Sequence, residues 1–367
     1  MSTTPTGHGR RSADPWADAG PAPVRPPAGS GLHGGAGEAL WSSSRDLRRD
    51  TAQAQDDPST GFESVASASQ RRYSRRPALS LWTRTWRGVG NLFRHDRTPE
   101  RLAGHARLIQ APITTGRRIA VVSLRGGAGK TAVTALLART YAALRPEPLV
   151  AVDLDPALGS LALRLAQGPL GPAPAADQVS SALAGMSSTS FDAVAGLLAG
   201  GADELYFTGP RVSGGPLGEA GTTTLLSSLS RYFPVTLLDA PSGLLTPDTA
   251  AGLARCHGAV FVVPTTAAGL DEAAGFLRHW QLDPFLSDIP VTAAVVDTDR
   301  DRGLDPLAEA AALTRVGVDT VAFRHDRHVA GGVGISLQLL RPENRLAAAE
   351  LAALTLTAAN RVRGGSR

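Results

Sequence analysis

The sequence predicts an α/β protein with a mostly parallel β-sheet and helices on both faces. From about residue 105, short apolar segments rich in β-branched residues alternate with longer segments of helical periodicity. The apolar segments are nearly free of polar residues, which is typical of parallel strands covered on both sides. The first of them runs directly into a glycine-rich loop that opens a helix. Together these observations favour an open, helix-covered sheet.

The elements follow in chain order. The segment 118–124 (RIAVVSL) predicts the first strand, 131–145 predicts a helix with an apolar stripe, and 149–154 predicts the second strand. Further strands are predicted at 205–208, 235–239, 259–264, 291–296 and 320–323. Further helices are predicted at 180–198, 222–232, 270–280, 307–316 and 342–361, with Gly/Pro-rich loops at 168–177 and 209–220.

The N-terminal third has a different composition. Residues 1–70 are rich in Gly, Pro, Ser, Ala and Asp, so they cannot bury enough surface to offset the entropy of ordering, and we predict disorder. Residues 71–104 form a predicted arm, in which 71–97 hold eight arginines and one acid. This leaves 105–362 as the folded domain and 363–367 as a short basic tail.

The arm has an aromatic helical face. Trp82, Trp86, Val89 and Phe93 are spaced by 4, 3 and 4 residues, while arginines occupy another face. Such a face could lie on an anionic membrane, bind a partner protein or pack on the chain's own domain. We therefore leave open a membrane-surface or partner-protein contact through 71–97.

The charge distribution limits the partners. Residues 1–100 hold 14 arginines and 10 acids, whereas the rest balances 23 basic residues against 23 acids. A neutral domain argues against DNA binding by the core. The single cysteine excludes an internal disulfide, and no apolar segment reaches the roughly 20 residues that span a bilayer. We expect a cytoplasmic location, with peripheral membrane contact left open.

Lysine is almost absent from this chain. Of 37 Lys and Arg residues, 36 are arginine, and the one lysine is Lys130. Lysine is a compact point charge on a slim stem, whereas arginine is planar and forked. Lys130 is therefore expected where arginine does not fit.

That lysine lies in the segment Ser123-Leu-Arg-Gly-Gly-Ala-Gly-Lys-Thr131. Glycines between a strand and a helix let backbone N–H groups curl around phosphate oxygens, and the helix N-terminus adds its positive dipole end. Lys130 would reach the β- and γ-phosphates and the Thr131 hydroxyl would bind Mg²⁺. A simple glycine-rich turn is the alternative. The predicted nucleotide contacts are Arg125, Gly126, Gly127, Ala128, Gly129, Lys130, Thr131 and Ala132.

Acidic residues follow two predicted strands. Asp153 and Asp155 end the second strand, and Asp239 ends the strand at 235–239. The carboxyl ends of parallel strands share one edge, where ligands bind in open α/β sheets. A carboxylate there can hold Mg²⁺ or orient a nucleophilic water, so Asp153 and Asp239 join Thr131 as metal candidates. Helix capping or a turn is the alternative role of each.

These residues resemble the MinD/ParA family of deviant-Walker P-loop ATPases, of the SIMIBI class. The resemblance is carried by Arg125-Gly-Gly-Ala-Gly-Lys-Thr131, Asp153-Leu-Asp-Pro156 and Leu237-Leu-Asp-Ala-Pro241, and extends over about 117–360. The segments 80–117 and His328–Arg345 are similar to MinD-like ATPases of actinobacterial type VII (ESX) secretion loci.

The resemblance implies that Mg²⁺-ATP drives a homodimer with nucleotide at its interface, and that slow hydrolysis to ADP and phosphate releases it. Lys130, Asp155 and Arg125 would be catalytic, with Asp155 orienting water and Arg125 contacting phosphate across the dimer. The resemblance also implies service to type VII secretion, with the arm at 71–97 as a candidate contact for the membrane surface or the secretion machinery. The alternatives are a non-hydrolysing nucleotide-binding adaptor, and a partition or positioning ATPase acting on DNA or membrane.

The sequence departs from the family pattern at three positions. Arg125 replaces the signature lysine, and Ala132 stands where a second threonine is usual. Asp297 follows the predicted strand at 291–296, where the family often has an asparagine near the base, and it is our candidate base contact. A carboxylate only accepts hydrogen bonds, so adenine is not secured over guanine. The alternative is a solvated loop acid.

Overall fold

A computed structural model describes residues 98–156, 159–186, 190–200, 202–211, 217–244, 246–299 and 304–362. The predicted tail at 1–70, the aromatic face within 71–97 and the basic tail at 363–367 lie outside these ranges. The predictions for those segments therefore stay predictions.

The described part of the chain is built on an eight-stranded sheet, in the order β3-β4-β2-β5-β1-β6-β7-β8. All neighbouring strands are parallel except β3 and β4 at one edge. The strands are β1 (Arg117–Val122), β2 (Leu149–Asp153), β3 (Ala199–Gly200), β4 (Leu205–Phe207), β5 (Val235–Asp239), β6 (Gly258–Pro264), β7 (Val291–Val296) and β8 (Thr320–Phe323).

Helices follow most of the strands. They are α1 (Thr98–Ile109), α2 (Lys130–Leu144), α3 (Leu161–Leu165), α4 (Ala176–Gly185), α5 (Phe191–Ala195), α6 (Gly218–Leu229), α7 (Pro247–Leu253), α8 (Ala267–Leu282), α9 (Pro306–Thr314), α10 (Arg327–Ala330) and α11 (Pro342–Arg361). Short 3₁₀ turns lie at Ala202–Glu204 and Leu337–Leu339.

The sheet separates two apolar cores. Successive residues of β1 alternate between them: Ile119 and Val121 face one core, and Ala120 and Val122 the other. The first core includes residues of α1, α2, α3 and α11. The second includes residues of α4 to α9. The predicted α/β fold, with a mostly parallel sheet and helices on both faces, is confirmed.

Helix α1 packs against α11, and Ile109 at its end is fully buried. The guanidinium of Arg101 lies 3.5 Å from the carboxylate of Glu350 on α11. The predicted boundary between arm and domain, at 104/105, falls inside α1. The described part of the chain therefore has a helix before the first strand, and this helix joins the core.

One predicted helix is wrong: the segment 180–198 forms two helices, α4 and α5, instead of one. The hydroxyl of Ser190 accepts a hydrogen bond from the backbone of Ala193 at 3.2 Å and so caps a new helix. Within the described ranges, no helix has both the length and the apolar character needed to cross a membrane.

Candidate functional site: the glycine-rich loop and its neighbours

The loop between β1 and α2 has a backbone that only glycine adopts easily. Gly127 has φ 74° and Gly129 has φ 96°, both in the left-handed region. A Cβ at Gly129 would also lie 3.3 Å from Cγ1 of Val296 at the end of β7. The loop is thus held in a curled conformation at the carboxyl edge of the sheet, at the start of a 15-residue helix.

Lys130 begins α2 and is only 7% exposed. Its ammonium group donates a hydrogen bond to the hydroxyl of Ser242, at 3.1 Å. Burial lowers the pKa of Lys130, while the nearby carboxylates of Asp239 and Asp155 act in the opposite direction. The Lys130 ammonium group is therefore enclosed beside the glycines, and the carboxylates of Asp239 and Asp155 are near it.

Asp239, at the end of β5, makes direct contact with α2. Its carboxylate lies 3.1 Å from the hydroxyl of Thr134 and is also hydrogen-bonded to the side chain of Thr131. Burial raises the pKa of Asp239 to about 6, whereas these hydroxyls and Lys130 favour its charged form. The predicted magnesium candidates Thr131 and Asp239 are thus brought together.

Asp153, at the end of the neighbouring β2, is also buried, but its two oxygens already accept backbone hydrogen bonds. The donors are the N–H groups of Asp155 at 3.0 Å and Leu161 at 3.2 Å. A Cβ at Gly159 would overlap the same carboxylate. Burial, together with the charge of Asp239, raises the pKa of Asp153 to about 8. Asp153 fixes the segment between β2 and α3, and its role as a metal ligand stays a prediction.

Asp155 lies two residues further along and is partly exposed. Its charge acts on both Lys130 and Asp239. The structure therefore brings together the predicted phosphate, magnesium and water-orienting residues, although they come from three separate segments of the chain.

Arg125, on the outer side of the loop, points away from this cluster. Its guanidinium forms a two-pronged ion pair with Glu272 of α8: Nε lies 2.7 Å from Oε2, and a terminal nitrogen contacts Oε1. The Arg125 side chain is 60% exposed. The hydrogen bond with Glu272 raises the pKa of Arg125, and Arg125 in turn lowers the pKa of Glu272.

A cavity of about 240 Å³ lies beyond β7 and β8, lined by Asp297, Arg324, His325, Arg327 and Arg341. Asp297 directly follows Val296, whose side chain lies close to Gly129, so this end of the cavity is near the loop. The Asp297 carboxylate accepts backbone hydrogen bonds from Asp299 at 3.3 Å and from His325 at 3.4 Å. The predicted base contact therefore lines a cavity instead of extending into solvent.

Two buried polar residues fix the wall of this cavity. Asn344 of α11 receives the N–H of Arg324 at 3.0 Å and donates to its carbonyl at 2.8 Å. Asp326 accepts hydrogen bonds from the backbones of Arg341 and His328, both at 2.9 Å. Although burial opposes it, this set of donors lowers the pKa of Asp326. These hydrogen bonds fix the wall through backbone groups, so the side chains of the arginines that line the cavity are not needed to hold it.

The sequence prediction missed several residues of this arrangement. Thr134 lies one helical turn after Lys130, and Ser242 lies three residues after Asp239, so their spacing could have suggested them. The positions of Glu272 and Asn344 depend on helices far along the chain, and no local pattern marks them.

No protein-family model matches the chain. In a sequence comparison, the ESX-1 secretion-associated protein EspI of Mycobacterium tuberculosis, strains CDC 1551 and H37Rv, is 30% identical over 258 residues. The match covers 68% of this chain and 37% of that protein. The chain therefore spans little more than a third of the length of these relatives.

Solved structures share the architecture. A ParA family ATPase from Chlorobium tepidum TLS has a TM-score of 0.52 at 13% identity, covering 64% of this chain and 98% of that one. The cell division ATPase MinD from Pyrococcus furiosus has a TM-score of 0.48 at 21% identity, covering 65% and 97%. The fold of this chain is that of a ParA-type ATPase. The predicted resemblance to the MinD/ParA family and to ESX secretion-associated proteins is confirmed.

Proposed function

We propose that this chain binds Mg²⁺-ATP at Arg125–Ala132, forms a homodimer around the nucleotide and slowly hydrolyses it to ADP and phosphate. The observation that carries the proposal is the enclosed group of Lys130, Thr131 and Asp239 at the end of a left-handed glycine loop. A structural turn needs neither an enclosed cation nor a buried acid beside it.

The loop suits a triphosphate. Its glycines leave the backbone N–H groups accessible, and the N-terminus of α2 favours negative charge at the same place. Lys130 adds a full positive charge in a space where a compact ammonium fits. The phosphates would thus be held by backbone, helix dipole and one side chain.

Thr131 and Asp239 suit Mg²⁺. Magnesium prefers oxygen ligands and is usually held by one or two protein oxygens together with substrate phosphates. When bound, the ion would neutralise charge between the β- and γ-phosphates. Thr134 hydrogen-bonds to Asp239 and so fixes the orientation of its carboxylate. Asp155, partly exposed beside this pair, is positioned to orient water.

The cavity beside Asp297 suits the nucleoside. Val296, which precedes Asp297, lies close to Gly129 of the loop, and the Asp297 carboxylate in the cavity lining would accept hydrogen bonds from a base that offers N–H donors. Both purines offer such donors, so the base preference must be measured.

A non-hydrolysing adaptor is the second candidate, and one observation favours it. Arg125, which replaces the signature lysine, is held by Glu272 of its own chain. If it stays there, nucleotide could bind without assembling the interface that hydrolysis needs. Service to type VII secretion, which the name of the EspI relative supports, is part of both proposals, as is a cytoplasmic location. A DNA or membrane track would depend on the arm at 71–97.

The test uses the full chain with Mg²⁺ and either ATP or GTP. Calorimetry would measure binding, sedimentation would measure dimerisation, and phosphate release would measure turnover. We expect ATP binding, an ATP-dependent dimer and slow phosphate release. Binding without dimer or turnover would favour the adaptor, and no binding of either nucleotide would overturn both candidates.

A further inference from the structure

The position of Arg125 raises a question that rests on the proposed function. In the proposed dimer, Arg125 would contact a phosphate across the interface. In the protomer, however, its guanidinium uses Nε and one terminal nitrogen to bind both oxygens of Glu272. This is the forked geometry with which arginine also binds a phosphate, so the same edge cannot serve both anions at once.

Glu272 is held at this place by the fold. It lies in the second turn of α8, which begins where the hydroxyl of Thr266 accepts the N–H of Gly269 at 3.0 Å. Helix α8 follows β6, and β6 pairs directly with β1, the strand that leads into the loop. The start of α8 and the loop therefore meet at one sheet edge, and the carboxylate stays within reach of Arg125.

The partners are unequal in exposure. The Arg125 side chain is 60% exposed, whereas that of Glu272 is 37% exposed and sits on a regular helix. Because Arg125 is the more exposed partner and lies in the loop, its side chain can leave Glu272 without any change in the sheet or in α8.

We infer that Glu272 is a positioning residue that holds Arg125 in its own protomer and thereby opposes nucleotide-dependent dimerisation. The ion pair must separate when Arg125 reaches the partner's phosphate. An exposed ion pair shifts an equilibrium by about two- to fivefold. The pair of Arg125 and Glu272 is therefore expected to weaken dimerisation by about that factor. ATP binding by the single protomer does not require the separation.

The experiment compares Glu272→Gln with Asp271→Asn in the full chain. Both remove one negative charge from the same turn of α8, but Asp271 is exposed and is not the partner of Arg125. Sedimentation with Mg²⁺-ATP would give the dimer dissociation constant, calorimetry the ATP affinity, and thermal unfolding the integrity of the fold. For Glu272→Gln we expect a dimer about two- to fivefold tighter with unchanged ATP affinity. Asp271→Asn should match the wild type.

Repeating the Glu272→Gln comparison in the Arg125→Lys variant separates the positioning of Arg125 from a general effect of charge on dimerisation. In Arg125→Lys, the ammonium cannot form the forked pair, so adding Glu272→Gln should change dimerisation less than it does with arginine present. High salt should also shrink the difference between Glu272→Gln and wild type.

Two outcomes would overturn the inference. If the wild-type chain dimerises with ATP while Glu272→Gln dimerises equally or more weakly, Glu272 does not oppose the interface, although the proposed function stands. If neither the wild-type chain nor Glu272→Gln forms an ATP-dependent dimer, the proposed function and this inference fail together.

Discussion

The ammonium nitrogen of Lys130 lies 3.1 Å from the hydroxyl oxygen of Ser242, which in turn lies over Gly126 of the glycine loop. A Cβ at Gly126 would be 3.5 Å from that oxygen. Ser242 therefore connects the loop to the segment that follows β5 and Asp239. In the proposed function, Lys130 would donate to a phosphate oxygen beside this hydroxyl, which links the nucleotide to that segment.

The first prediction is that Lys130→Arg loses nucleotide binding while the fold is kept. The side chain is 7% exposed, and a planar guanidinium needs more room than the ammonium that hydrogen-bonds to Ser242. Loss of a charged hydrogen bond to phosphate should weaken ATP binding by about 10- to 100-fold. Calorimetry measures the affinity, and circular dichroism with thermal unfolding checks the fold. Lys130→Ala serves as the control that removes charge without adding bulk, and normal ATP affinity in Lys130→Arg would contradict the assignment.

The second prediction concerns the backbone of the loop. Gly129→Ala would place a Cβ on a residue with φ 96°, 3.3 Å from Val296. A left-handed conformation costs a non-glycine residue about 1–2 kcal/mol, so the free energy of unfolding should fall by about that amount, and ATP binding should weaken. Denaturant unfolding and calorimetry measure the two effects.

The matched control is Gly104→Ala in α1, where a Cβ would meet nothing within 4 Å. Alanine in a helix is favoured over glycine by about 0.5–1 kcal/mol, so this variant should be slightly more stable than wild type. If both alanine variants were equally stable and bound ATP equally well, the loop would not need its left-handed glycines.

The sheet could be predicted closely because its strands are continuous apolar segments. The strands Val235–Asp239, Val291–Val296 and Thr320–Phe323 have the bounds that the sequence predicts. Among the helices that the sequence analysis did not predict, α1 and α7 carry a local signal at their starts, Thr-Pro followed by an acid, at Thr98 and Thr246. Start signals of this kind locate the beginnings of helices that apolar periodicity alone does not reveal.

The site was predictable only where spacing along the chain decides it. Lys130 and Thr131 follow from the loop motif, and Asp239 from the end of its strand. Glu272, by contrast, meets Arg125 across 147 positions, a contact that exists only because β6 pairs with β1. Such contacts depend on strand order, which a single sequence does not reveal.

The third prediction concerns the base. Asp297→Asn should raise the preference for ATP over GTP by about tenfold, because an amide offers adenine both a donor and an acceptor, whereas a carboxylate only accepts. Competition between the two nucleotides for the full chain measures the ratio. Asp299→Asn, two positions along the same loop, is the control and should leave the ratio unchanged. An unaltered ratio in Asp297→Asn would mean that the residue does not contact the base.

The last prediction concerns pH and the wall of the cavity. The Nε2 atom of His328 accepts the backbone N–H of Ser336 at 2.9 Å, which only an unprotonated nitrogen can do. Burial lowers the pKa of His328, although Asp326 acts in the opposite direction. Since the unfolded chain then binds the proton more readily, stability from this group is complete above its ordinary pKa of about 6.5 and is lost as pH falls below it.

The contribution of His328 to the free energy of unfolding should therefore decrease between about pH 7 and pH 5, whereas Asp153 and Asp239, whose pKa values are raised, contribute with the opposite sign. His328→Gln should remove the share of the pH dependence that comes from this histidine, because an amide oxygen can accept the same N–H without titrating. Denaturant unfolding at several pH values measures the slope. His105, whose pKa is also lowered by burial, adds a slope of the same sign. Adding His105→Gln to His328→Gln should therefore remove a further part of the stability loss that histidine protonation causes as the pH falls. A slope equal to that of wild type in His328→Gln would show that the bond to Ser336 does not control the pH response of this segment.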